Sequence, residues 1–187
     1  MYHQYVKFVV KKSTGKMAIA LLIVYLIFNA AVMGWGAKEI NSLSGKDVQI
    51  LDLCLTGYSP TEVKTYLSDY SPEARSFAAK FNFIADTAYP ILYTIMLSVV
   101  MAWVYKNKIT SNKSFGYLLL LPLLIMVLDF LENYHIITLL QEFPDITEEM
   151  VKAGSMFTVA KWGMFGIVLI VIVSGIIVKV ITGRKTA

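Results

Sequence analysis

Asp129, Glu132, Asn133 and Ile136 are spaced by three and four residues, so on a helix two carboxyl groups and a carboxamide share one face. Two acids that close influence each other's ionisation unless a cation stands between them. Such a pair can serve as a general acid or base, accept hydrogen bonds from a ligand, or lock onto a lysine of a neighbouring helix. The surrounding stretch, residues 116–137, is otherwise almost wholly apolar. An ionised acid at the centre of a membrane-spanning helix costs about 2.5–3.5 kcal/mol, less nearer the interface. Both acids are therefore expected to turn inward towards a cation. Lys161, inside the last apolar run, is the obvious one, with Arg75 and Lys80 as further candidates.

Other chemistries fail on residue count. Glu132-Asn133-Tyr134-His135 has the Glu-x-x-His spacing of di-iron bundles, which need the motif twice. The other histidine is His3, at the far end of the chain, and a three-histidine zinc site is excluded by number. His135 reads as an interfacial residue. Cys54 is alone, so it can neither pair within the chain nor run disulfide exchange. There is no glycine-rich phosphate loop and no nucleophile elbow. No metal and no cofactor is expected.

The elements that position these groups are read from hydropathy and charge. The chain is 57% hydrophobic and only 16% charged, with a mean hydropathy of +0.62. A spanning helix needs roughly 20 mostly apolar residues. Four stretches qualify, at about 17–36, 87–105, 116–137 and 156–181. The first is too long for a signal-peptide core and reads as a retained span. Ten of the seventeen basic residues gather in three acid-free segments: Lys7, Lys11, Lys12 and Lys16; Lys106, Lys108 and Lys113; and Lys179, Arg184 and Lys185. With four spans this is a positive-inside pattern, which places both termini in the cytoplasm and suggests a bacterial inner membrane. The net charge of +4 thus needs no nucleic acid as a partner. The lysines read as orientation signals, and Trp35, Trp103 and Trp162 as an aromatic belt.

The expected fold is a single integral domain over residues 1–187: an all-α, four-helix transmembrane bundle, with short amphipathic helices in the long exterior loop 38–85. Tyr58-Ser59-Pro60-Thr61-Glu62 and Tyr70-Ser71-Pro72-Glu73 each place serine at an N-cap, proline at the first helical position and glutamate in the first turn. The helix from Pro72 is expected to run unbroken into the second span, past Pro90. Before the fourth span, Asp145 and Glu148 have capping-box spacing. Gly163, Gly166, Ser174 and Gly175 offer small patches for close helix contact.

Depth then orders the polar residues. At 1.5 Å per residue from the inner rim, Asp129 lies roughly 20 Å in, Glu132 roughly 24 Å and Asn29 about 18 Å. Asp86 falls at the outer rim with Tyr89 and Tyr93 below it, and Lys161 about two turns deep from the same side. The strongly polar side chains therefore share the outer half, while the inner half is nearly apolar, which argues against a proton or cation path.

Ile50-Leu51-Asp52-Leu53, Gly57-Tyr58-Ser59-Pro60, Asp86 with Pro90 and Tyr93, Leu121-Pro122-Leu123 and Asp129-Phe130-Leu131-Glu132-Asn133 together resemble a group of small, uncharacterised four-span bacterial membrane proteins. The likeness covers about residues 50–135. It implies that these polar positions form a set and brings no activity with it. The expectation is a non-catalytic membrane protein whose pocket is built from Asn29, Asp86, Tyr89, Tyr93, Asp129, Glu132, Asn133 and Lys161. It would bind a lipid head group, a small polar ligand or a membrane-protein partner, which includes a second copy of the chain. The alternatives are a lipid-modifying enzyme using Asp129 or Glu132 as general acid or base, and a structural subunit whose Asp/Glu–Lys cluster is interhelical glue.

Overall fold

The computed structural model describes residues 2–184; Lys185 of the basic C-terminal segment lies outside the described residues. The described chain is all-helical, with four helices long and apolar enough to span a membrane. Helix α1 is Tyr2–Lys12 and α2 is Gly15–Ser44, with a π-helical turn at Asn29–Met33. A tight 3-10 turn, Leu51–Leu53, precedes α3, Pro60–Ser68. Helix α4 is Pro72–Ser111, α5 is Leu120–Glu142 after a 3-10 segment Lys113–Leu119, and α6 is Glu148–Arg184.

The caps explain where these helices begin. The Ser59 side chain accepts from Glu62 N, while the Ser59 amide and hydroxyl donate to the Glu62 carboxylate at 2.8 and 2.7 Å. Those donations hold the Glu62 carboxyl below its ordinary range. The sign is therefore that of a depressed acid: this contribution is complete above the usual carboxylate range and fades as pH falls through the lowered value. Ser71 caps α4 by accepting from Ala74 N at 3.0 Å. At α6 the expectation is corrected. Thr147, not Asp145, accepts from Met150 N at 3.3 Å, because Asp145 is held in the preceding turn by its amide bond to Glu142 O. Thr147→Ala is expected to cost about 1 kcal/mol of stability, whereas Asp145→Ala should leave melting in mild detergent unchanged. The reverse ranking would return the cap to Asp145.

A straight 40-residue helix is about 60 Å long, twice the thickness of a ~30 Å hydrocarbon core, so one end of α4 would project beyond such a core. Its projecting end carries Ala74, Ala78 and Ala79 into an apolar cluster with Val63 and Leu67 of α3, Leu139 of α5 and Val151 of α6. Further along, Tyr93, Met101 and Ala102 of α4 join Ile125 of α5 and Val168 of α6 in a second cluster, which α1 closes with Val9 and Val10. Helix α1 was not foreseen as an element. It is pinned by Tyr5, whose hydroxyl donates to Ser98 Oγ at 2.9 Å.

Of the small patches on α6, only Gly175 meets another helix: a Cβ there would come within 2.7 Å of the Tyr105 ring. Gly163 and Gly166 have open space where a Cβ would stand, so no helix packs closely on them among the described residues.

Candidate functional site

The buried ionisable side chains that the bundle's long helices contribute lie in one layer between the two apolar clusters. On α5, Asp129, Glu132 and Asn133 fall between Ile125 of one cluster and Ile136 of the other. On α4, Asn82 and Asp86 fall between Ala79 and Tyr93; on α6, Thr158 and Lys161 fall between Val151 and Val168. Apolar packing encloses the layer on both sides, and Glu132 and Thr158 are fully buried.

Lys161 is the centre of the layer. Its Nζ is ion-paired with Glu132 Oε2 and with Asp52 Oδ1, and Asp129 Oδ2 stands 4.0 Å away. Tyr93 donates its hydroxyl to Asp129 Oδ2 at 2.9 Å. Asp86 is buried as well, but none of the ion pairs reaches its carboxyl. Three carboxyl groups thus share one lysine, and a fourth, that of Asp86, is buried in the same layer. Asp129 Oδ1, Glu132 Oε1 and Asn133 Oδ1 are buried with no hydrogen-bond partner.

Asp52 is the member that sequence reasoning left out. It comes from the loop between α2 and α3, which folds back over α6. Gly57 makes this possible: its φ of +82° suits glycine, and Ser155 Oγ and Val159 Cγ2 approach the place where a Cβ would stand. Tyr58 N then donates to Ser155 Oγ at 2.8 Å, and Trp162 Nε1 donates to Asp52 O at 2.8 Å. Trp162 is therefore a strut for the Asp52 turn, because its indole N–H is committed to that carbonyl. Tyr58 is buried beside Thr158, whose hydroxyl donates to its oxygen at 3.5 Å, and burial pushes the Tyr58 hydroxyl up to about 12, which keeps it neutral. Burial also raises the nearby Cys54 thiol, whose Sγ donates to Ile50 O, so it is no activated nucleophile.

Asn133 meets a different need. Pro90 has no N–H, so the carbonyl of Asp86 one turn earlier loses its helical partner. Asn133 Nδ2 donates to that carbonyl at 2.8 Å and ties α5 to α4. Asn29 does not reach the carboxylates. It donates to Tyr89 OH at 2.8 Å, and Tyr25 and Tyr89 share a hydrogen bond at 2.7 Å, forming a separate polar group between α2 and α4. Its link to the layer is the edge-to-face contact of Tyr89 with Tyr93, 5.6 Å between centroids.

The other candidate cations are engaged elsewhere. Arg75 Nη1 donates to Leu67 O and Tyr70 O at 3.2 and 2.7 Å and stacks over Phe143, so it caps the end of α3. Lys80 lines a surface hollow beside it. His135 stacks on Phe157 at 5.3 Å. Among the described residues no group of His, Cys, Asp and Glu has the geometry to hold a metal ion. A cavity of about 110 Å³ lies against the layer, between α2, the Leu51–Leu53 turn, α4 and α5. Asp52, Asn82 and Asp86 form its polar side, and Met33, Ile40 and Ile136 are among its apolar walls.

No protein family, no curated protein and no solved structure matches the chain.

Proposed function

We propose that the protein is a non-catalytic integral membrane protein whose polar layer, in the outer half of the membrane with both termini cytoplasmic, binds the head group of a lipid or another small polar ligand. The observation that supports this is the imbalance of the layer. Glue between helices needs one acid for one base, whereas three carboxyl groups here meet a single lysine, Asp86 is buried beside them without an ion pair, and two buried carboxylate oxygens accept nothing. The carboxyls of Asp52 and Asp86 stand in the wall of the adjoining cavity and suit a ligand that brings donors, an ammonium or hydroxyl group. The adjoining cavity holds only such a fragment, with an apolar remainder lying along Met33 and Ile40 of α2.

The test is the small-molecule content of protein purified from membranes in mild detergent, wild type against Asp86→Asn. Asp86 lines the cavity and none of the ion pairs involves its carboxylate, so the amide should spare the fold. Loss of a charge-assisted hydrogen bond, about 1.5–3 kcal/mol, predicts at least roughly tenfold less retained ligand. Equal retention by the two proteins, or no small molecule above a mock purification, would sink the reading.

One observation favours a structural role instead. Lys161 is enclosed by three carboxylates and buried, as expected of a pin that fixes the register of α5, α6 and the Asp52 turn. On that reading Asp86→Asn retains nothing because wild type retains nothing.

A further inference from the structure

At the opposite end of the bundle the lysines do more than mark orientation. A cavity of about 520 Å³ opens between the start of α2, the end of α4 and the last turns of α6. Lys106, Lys108 and Lys179 line it together with Trp103, Thr14 and Asn107, and among the described residues no acidic one does. The volume is that of a small-molecule site. Each lysine is braced from below. Lys106 Nζ donates to Ser13 O at 3.1 Å, Lys108 lies over the Phe115 ring at 5.3 Å, and Lys179 Nζ donates to Trp103 O at 3.0 Å while standing 3.8 Å over its ring. None of the ion pairs among the described residues uses Lys106 or Lys108. The first turn of α2 opens into the same space at Gly15, adding the positive end of a helix dipole. Close packing of Gly175 against Val104 and Tyr105 sets the distance between α6 and α4 that leaves the cavity its width.

We propose that this cavity binds a phosphate group, carried by an anionic phospholipid or by a small phosphate compound. Three cations, a threonine hydroxyl and an indole make a donor-rich recess at the depth where head groups lie, the complement in sign of the acid layer at the other end. The site is independent of the ligand proposed for that layer.

The experiment measures thermal melting and lipid retention of the full chain in mild detergent with added phosphatidylglycerol, phosphatidylcholine or inorganic phosphate. Wild type, Lys106→Gln/Lys108→Gln and a control with the same loss of charge elsewhere, Lys46→Gln/Lys64→Gln, are compared. Wild type and control should retain at least about tenfold more phosphatidylglycerol than phosphatidylcholine, and the Lys106/Lys108 variant should lose that preference. Stabilisation by the anionic lipid alone assigns the phosphate to a head group; equal stabilisation by millimolar inorganic phosphate assigns it to a small compound. If the double variant does not fold, the two single variants are read instead, each with at least about a threefold loss. Equal retention of both lipids by wild type without a phosphate effect, retention unchanged by the Lys106/Lys108 substitutions, or an equal loss in the control would each overturn the proposal.

Discussion

Lys161→Met is expected to lower stability by roughly 3–5 kcal/mol, because it leaves several carboxylates buried without their cation. For a chain of this length that corresponds to a fall in melting temperature on the order of 10 °C. The cost is that of stranded charge rather than of lost volume, since methionine fills much of the space of the lysine stem. Neutralising a stranded partner should therefore restore part of it. Lys161→Met/Glu132→Gln should melt above Lys161→Met, and adding Asp52→Asn should raise it again. The measurement is thermal unfolding of the series in one detergent. A Lys161→Met protein that melts with wild type would show that the carboxylates are not held by this lysine. A double variant below the single one would show that Glu132 acts through packing instead of charge.

The position of Asp52 explains how far the sequence could be read. The four spans were legible because length and apolarity alone define them, and the layer was legible because charged side chains inside apolar runs have few places to go. Asp129, Glu132 and Lys161 needed only depth along their helices to be placed at one level. Asp52 had no such ruler. It lies in a 27-residue stretch between α2 and α4, counted from Gly45 to Ser71, where acids are normally solvated. What brings it inward is a positive-φ glycine at Gly57 and hydrogen bonds from Tyr58 and Trp162, all of which are tertiary. The one local hint was an acid flanked by leucines in Ile50-Leu51-Asp52-Leu53. Asn29 failed for the opposite reason. Equal depth with Asp129 says nothing about which way a helix faces, and the first half of α2, up to Phe28, is apolar all round, so no periodicity there sets its rotation. The fourth-span cap went to Thr147 because Asp145 and Thr147 are both good caps before the glutamates, and only the turn geometry chooses between them.

Asn133→Leu is the second substitution with a large expected effect, and its size should depend on a residue of another helix. The carbonyl it serves, Asp86 O, is orphaned by Pro90; leaving that carbonyl bare in the buried layer costs about 1–3 kcal/mol. In a Pro90→Ala background the alanine N–H can bond Asp86 O within α4, so the same Asn133→Leu substitution should cost far less. A double-mutant cycle on melting should thus give a coupling of about 1 kcal/mol or more, with Pro90→Ala alone near neutral. Equal costs in both backgrounds would mean that Asn133 matters through its own unpartnered Oδ1 and not through the proline. The distinction bears on the site itself. If the coupling is found, Asn133 is a positioning residue that holds α5 against α4 at the level of Asp86, and the groups that would meet the proposed ligand are the cavity-lining carboxyls of Asp52 and Asp86. If it is absent, the carboxamide oxygen joins those acceptors, and Asn133→Asp, which keeps an acceptor there, should retain ligand where Asn133→Leu does not.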